Sequence, residues 1–207
     1  EMPVSLFKMS KKTSQENPNK LISAYKDNVA FVDGPAIEQF APVNPDKPDF
    51  FEMRPIDSVI SLKAETHNFP TTVEPFNGAA TGSGGEIRDR LGGGRASLPL
   101  AGTAVYMTSY PRSAADRAWE ACTMPPRPWL YQTPEEILIK ASNGASDFGN
   151  KFGQPLICGS LLTFEHQEGN SQFAYDKVIM LAGGVGFANK RDAIKGSPVP
   201  HEKVVLM

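Results

Sequence analysis

Cysteine is scarce: Cys122 and Cys158 are the only two in 207 residues. Neither their number nor their spacing makes a disulfide framework or a thiolate metal site. Excess charge of one sign is missing as well. Lys and Arg number 21 against 23 Asp and Glu, a net charge of -2, which excludes bulk attraction to nucleic acid or to an anionic membrane. No apolar run approaches the ~20 residues that cross a bilayer, and no secretory leader pattern is visible. The expected compartment is the cytoplasm. Internal repeats and low-complexity segments are absent. So are two familiar phosphate motifs: G-x-x-x-x-G-K-S/T occurs nowhere, and Gly82-x-Gly84 is followed by Ile87 where a dinucleotide fingerprint needs Gly or Ala.

What remains is an ordinary globular composition, 40% hydrophobic and 21% charged, long enough for one medium domain with a real core. Gly and Pro, 18 each, predict extensive loops. A surface helix follows Pro3 and stops at Asn17-Pro18. Asn28–Asp33 reads as a strand ended by Gly34-Pro35, and residues 41–55 as a proline-rich extended loop. Thr103–Tyr110 reads as a core strand. Residues 111–132 read as a long irregular loop in which Trp119 and Trp129 are packing anchors. Thr133-Pro-Glu-Glu136 combines an N-cap, a first-position proline and a third-position glutamate. Behind it, Leu138, Ala141, Ala145 and Phe148 recur at helical spacing. Pro155–Cys158 and Val178–Leu181 read as short strands, with Gly183-Gly184-Val-Gly186 closing a domain of residues 1–188. Residues 189–207 read as a linker followed by the first strand, Glu202–Met207, of another domain.

The densest chemistry lies between Val59 and Arg95. Val59–His67 alternates as a strand, placing Ile60, Leu62, Ala64 and Thr66 on one face and Ser61, Lys63, Glu65 and His67 on the other. The expected register packs Leu62 and Ala64 beneath, against helices, and leaves the polar trio on the open face. Pro70 ends the strand. The run from Gly78 to Gly85 has no bulky side chain, and Ser83-x-x-Glu86 reads as a capping box. A short helix should therefore start near Gly84, carry Glu86, Arg88, Asp89 and Arg90, and stop at Gly92-Gly-Gly94. Small residues before a helix N-terminus suit an anion such as phosphate; a plain flexible turn is the alternative.

The run K-A-E-T-H-N-F-P-T-T-V-E-P-F-N-G-A-A-T-G-S-G-G-E-I-R-D resembles the signature of the phosphoribosylformylglycinamidine synthase family. The likeness is ungapped from about Val59 to Gly102 and looser at Phe152–Glu165 and Lys177–Gly186. With the long N-terminal lead, it resembles the large single-chain form. The resemblance implies an ATP- and glutamine-dependent ligase of purine biosynthesis that makes an amidine from formylglycinamide ribonucleotide. It also implies an α/β fold with a mixed sheet covered by helices on one face, as in the aminoimidazole ribonucleotide synthetase-like superfamily. This chain would be the first subdomain of the synthetase core. The second synthetase half and the glutaminase domain would be its partners, and the first subdomains of the two halves would pair through their sheets.

Carried over position by position, the resemblance makes Lys63 an ATP contact and Glu65 and Asp89 ligands of Mg²⁺. Gly78, Ala79, Ala80, Thr81, Gly82, Ser83, Gly84, Gly85, Glu86, Ile87, Arg88 and Asp89 fall on the nucleotide-binding segment. Thr66, His67, Asn68, Phe69 and Arg88 fall on substrate-contacting positions, with His67 as the proton acceptor. Some relatives have a second His where this chain has Phe69, so an imidazole role is lost there. Other readings stay open: a hydrogen-bonded structural His67, a Lys63–Glu65 ion pair, a plain surface carboxylate at Asp89. His166 and His201 read as solvated bystanders, and Cys122 as inert packing rather than a glutaminase nucleophile.

Two other functions are in view. Related ATP enzymes acting on aminoimidazole ribonucleotide, selenophosphate or thiamine phosphate share the fold but lack T-H-N-F-P followed by this glycine segment. A non-catalytic assembly module is the other, since 207 residues hold no glutaminase site. Alone, the chain is expected to be inactive and to pair as a homodimer through the polar sheet face.

Overall fold

The computed structural model describes residues 4–44, 46–113, 117–120 and 132–206. In chain order these form α1 (Leu6–Glu16), β1 (Leu21–Ser23), β2 (Ala30–Pro42), β3 (Phe51–Thr66), α2 (Asn68–Val73), α3 (Pro75–Leu91), β4 (Leu98–Thr108), α4 (Pro134–Lys151), β5 (Leu156–Thr163), β6 (Glu165–Glu168), β7 (Ser171–Ala174) and β8 (Ile179–Asn189). The chain divides into two compact units. The first holds residues up to Ser61, Gly92–Ser97 and Phe187 onward; the second holds Leu62–Leu91 and Leu98–Gly186.

In the first unit α1 begins where Ser5 accepts from the Lys8 N–H and ends at Asn17, where Asn17-Pro18 is expected to stop it. Strand order is β1-β2-β3, with β1 and β2 antiparallel. Val29, Phe31, Val59, Ala188 and Ala193 form its core. The strand expected to stop at Gly34-Pro35 instead continues to Pro42. Pro35 has no N–H to give a ladder, but its carbonyl is held from β3, so the strand runs on past it. The Ser58 hydroxyl donates to the Pro35 carbonyl at 2.6 Å. The 41–55 loop is correspondingly shorter, since β3 starts at Phe51. No strand forms over 202–206.

In the second unit the order is β3-β8-β4-β5, and β4 and β5 run parallel in the register Val105↔Ser160. Together with the antiparallel β1–β2 pair, this makes the strand pairing mixed, as expected. A separate β6–β7 hairpin was not foreseen. The α4 start has both halves of the capping box. Ala104, Tyr106, Met180 and Ala182 cluster with Ala79 of α3 and with Ala141 and Ala145 of α4, so both helices cover one face of this sheet. The glycines of residues 183–186 lie inside β8, and the second unit ends at Gly186. Trp119 is 63% exposed with the Arg117 guanidinium over its ring, so it anchors nothing among the described residues. Cys122 and Trp129 lie outside the described residues.

Two corrections bear on the site. The first concerns α3, which is one helix from Pro75 to Leu91, not a loop leading into a helix at Gly84. Four interior glycines cost a helix roughly 1 kcal/mol each, and close packing offsets that loss. A Cβ on Gly78 would overlap the Pro70–Thr71 backbone of α2, and one on Gly82 would lie 2.9 Å from His67 Cβ and 3.0 Å from Met180 Sδ. The glycines are where α3 touches its neighbours. Ser83 is a buried helix-interior residue whose hydroxyl has no partner among the described residues, so it caps nothing.

The second correction concerns the facing of β3. The alternation is present, but Leu62 is 38% exposed and Ala64 and Thr66 are exposed too, whereas Lys63, Glu65 and His67 are partly buried. The polar trio lies on the α3 side. An alanine- and glycine-rich helix leaves room above the sheet for long polar side chains, which reach its charged C-terminal turns.

Candidate functional site

Lys63 and Glu65 leave the end of β3 on the side where α3 passes. The Lys63 ammonium lies 2.8 Å from Asp89 Oδ2 and 3.3 Å from Glu65 Oε2, joining two carboxylates from different elements. Burial disfavours the ammonium, but hydrogen bonds to Asp89 and then Glu65 outweigh it, so the Lys63 pKa lies above its ordinary value. The anticipated Lys63–Glu65 ion pair is present, with Asp89 as the closer partner. Among the described residues no group of three or more His, Cys, Asp or Glu side chains gathers.

His67 stands at the turn from β3 into α2. Its N–H donates to the Met180 carbonyl at 3.0 Å, and the Met180 N–H returns a bond to Asn68 Oδ1 at 3.1 Å. Thr71 donates to the His67 carbonyl, and Thr72 both donates to the Asn68 carbonyl and accepts from the Val178 N–H. T-H-N-F-P-T-T is thus a docking clip that ties α2 to β8. The His67 imidazole is partly buried, and Thr66 and Phe69 are exposed.

The Gly78–Asp89 segment divides by helical face. Gly78, Ala79, Gly82, Ser83, Gly84, Glu86 and Ile87 are buried, Ala80, Gly85 and Asp89 are partly buried, and Thr81 and Arg88 are exposed. The Gly78 N–H donates to the Glu74 carbonyl at 2.7 Å, and later N–H groups are spent in the helix. Backbone amides here do not form the anion cradle expected of a loop. What α3 offers a ligand is side chains, chiefly Arg88 and Asp89.

Sequence reasoning missed a buried network beneath this face. Arg90 Nε donates to Glu86 Oε2 at 2.8 Å and Nη1 to the Val185 carbonyl at 2.7 Å. Gln154 accepts from Arg90 Nη2 and donates to Glu86 Oε1. Both charged side chains are at most 1% exposed. Gly184 makes the space, since a Cβ there would lie 2.6 Å from Arg90 Nη2 and 2.7 Å from Glu86 Oε2. The available signal was the i, i+4 spacing of Glu86 and Arg90. It was hidden because a helix start at Gly84 places Glu86 in a solvated first turn.

No protein-family model matches the chain. The phosphoribosylformylglycinamidine synthase of Schizosaccharomyces pombe is 40% identical over 209 residues, covering 98% of this chain and 15% of that protein. Among solved structures, PurLQS from Thermotoga maritima matches 88% of this chain and 24% of its own with a TM-score of 0.52 and 10% identity, a likeness of fold alone. The chain thus spans 15% of the length of the curated relative it matches, and along nearly all of its own length it is a sequence relative of the phosphoribosylformylglycinamidine synthases.

Proposed function

We propose that this chain is the segment of a phosphoribosylformylglycinamidine synthase that supplies the ATP, Mg²⁺ and substrate contacts of the first half of the synthetase core. The observation that carries the reading is 40% identity across 98% of the chain, in a chain that holds the T-H-N-F-P and G-A-A-T-G-S-G-G runs. The reaction takes formylglycinamide ribonucleotide, ATP and glutamine to the amidine, ADP, phosphate and glutamate. The γ-phosphoryl group of ATP passes to the amide oxygen, ammonia from glutamine attacks the amide carbon, and phosphate leaves with that oxygen.

Lys63 sits between carboxylates and turns its ammonium to the nucleotide phosphates when they arrive. Glu65 and Asp89 fit Mg²⁺, because they offer hard oxygen donors already converging on one cation, the Lys63 ammonium, within 3.3 Å. Held by Glu65 and Asp89, Mg²⁺ would neutralise phosphate charge during phosphoryl transfer. His67 accepts a proton at the reacting amide, Asn68 and Phe69 line the substrate beside Thr66, and Arg88 binds an anionic group of the ribonucleotide. The α3 backbone takes no part in holding phosphate; Thr81 and Arg88 are the exposed side chains of that segment.

The chain alone makes no amidine from glutamine, because the glutaminase domain and the second synthetase half are its partners elsewhere in the parent enzyme, a cytoplasmic protein. The expected pairing through the polar face does not fit, since that face is covered by α3. The open face of the second unit, carrying Leu62 and Val185, 38% and 37% exposed, is the one that meets such a partner, and in the isolated chain a second copy takes that place. The test is a graft: this segment replaces its counterpart in the S. pombe enzyme. Glutamine-dependent ADP formation and growth without purines are expected from the graft and lost with Lys63→Met or His67→Ala. A soluble, folded graft with no turnover would defeat the reading.

A further inference from the structure

We propose that Phe148 is a positioning residue for the substrate, acting through Arg88. Arg88 lies in the last turns of α3 and is exposed, so in water its guanidinium would sample many rotamers. Instead its central carbon sits 5.6 Å from the centroid of the Phe148 ring. Phe148 is itself backed by Phe152 in a near-parallel stack, 5.1 Å between centroids and 12° between planes. Gly84, one turn before Arg88, lets both groups in: a Cβ there would lie 2.6 Å from Arg88 Nη1 and 2.7 Å from Phe148 Cζ. Glycine, guanidinium and two rings form one column between α3 and the end of α4.

What the column leaves undone points to a ligand. Among the described residues Arg88 makes no hydrogen bond and no ion pair, and the Phe148 ring is its partner. A ring face attracts the face of the guanidinium, whereas hydrogen bonds leave through its edge. Its five N–H donors therefore have no partner among the described residues, on a guanidinium that the Phe148 ring restrains. A guanidinium so restrained suits bidentate capture of a phosphate or carboxylate. An arginine held by a carboxylate would have its donors spent, and an unsupported one would have to be ordered by the ligand.

This inference rests on Arg88 contacting the substrate, and the test separates the two claims. In the full-length synthase carrying this segment, Phe148→Leu raises KM for formylglycinamide ribonucleotide roughly two- to fivefold, the range of an exposed cation–π contact. The kcat and the KM for ATP stay unchanged. Phe148→Tyr keeps the native KM, and Arg88→Ala/Phe148→Leu is no worse than Arg88→Ala alone. By NMR, the Arg88 side-chain protons carry an upfield ring-current shift that Phe148→Leu removes. Phe148→Met, unbranched and of similar reach, serves if the leucine variant does not fold. A native KM in Phe148→Leu while Arg88→Ala raises it would overturn the inference and leave the Arg88 reading standing. So would an equal further rise of KM in the Arg88→Ala background. If Arg88→Ala leaves the KM native, the reading of Arg88 falls and this inference falls with it.

Discussion

Replacing Arg90 by Met should be among the most damaging single changes in the second unit. Arg90 Nε and Gln154 Nε2 each serve one oxygen of the Glu86 carboxylate, and Arg90 also satisfies the Val185 carbonyl. With Arg90 gone, Glu86 is a buried charge with one amide donor left. Removing one partner of such a pair costs about 3–5 kcal/mol, whereas replacing the pair with apolar groups is often close to neutral. At a urea slope of ~2 kcal/mol/M, Arg90→Met should lower the unfolding midpoint by roughly 2 M. Glu86→Leu, which strands the guanidinium, should cost a similar amount. The double variant Glu86→Leu/Arg90→Met leaves Gln154 and the Val185 carbonyl short of partners, at about 1–3 kcal/mol each. It should still be more stable than the sum of the single changes by about 2 kcal/mol or more. Urea unfolding of the four chains, followed by far-UV circular dichroism, gives that coupling directly. Additive costs, or an Arg90→Met penalty below about 1 kcal/mol, would refute the reasoning.

Two further stability predictions follow from the same packing. Tyr106 is 7% exposed with a hydroxyl that has no partner among the described residues, and burial raises its pKa from 10.0 to about 12. The raised folded value favours the neutral phenol, so its stability contribution is full below pH 10 and lost as pH rises toward 12, at roughly 2–3 kcal/mol. Tyr106→Phe should abolish that part of the alkaline loss and be neutral or slightly stabilising at pH 7; an unchanged alkaline profile in urea titrations contradicts this. Gly78→Ala and Gly85→Ala make a contrasting pair on one helix. The first drives a Cβ into the α2 backbone, while the second meets Glu65 Cγ at an ordinary 3.5 Å. Overpacking makes Gly78→Ala cost about 3 kcal/mol or more, and Gly85→Ala should gain up to ~1 kcal/mol of helix propensity. Equal thermal stabilities would show that the tight packing of α3 is not what its glycines are for.

Local chemistry made some elements legible. Thr133 with Pro134 and Glu136 announces α4, Pro3 and Asn17-Pro18 bracket α1, and the β3 alternation follows from period two alone. The failures share one cause. Whether glycine is a loop or a contact point depends on what approaches it, and neither the Pro70–Thr71 backbone nor Phe148 adjoins the glycine run in the chain. By the usual expectation that apolar faces are covered, Leu62 and Ala64 belong inside. But α3 offers small residues and Asp89, which suit Lys63 and Glu65 better than they suit leucine. The residues proposed for the site come from its motif alone. The site's architecture was not legible there, because Arg90, Gln154 and Gly184 act together only in three dimensions.

One titration tests most directly whether Lys63, Glu65 and Asp89 hold nucleotide. ATP binding to this chain, followed by calorimetry with and without Mg²⁺, should be tighter with the metal and weakened about tenfold or more by Lys63→Met. Asp89→Asn should remove most of the Mg²⁺ dependence while leaving metal-free binding close to native. Native ATP affinity in Lys63→Met, with a Mg²⁺ dependence untouched by Asp89→Asn, would mean that the cation and carboxylates joining β3 to α3 are a structural ion pair and not the nucleotide site.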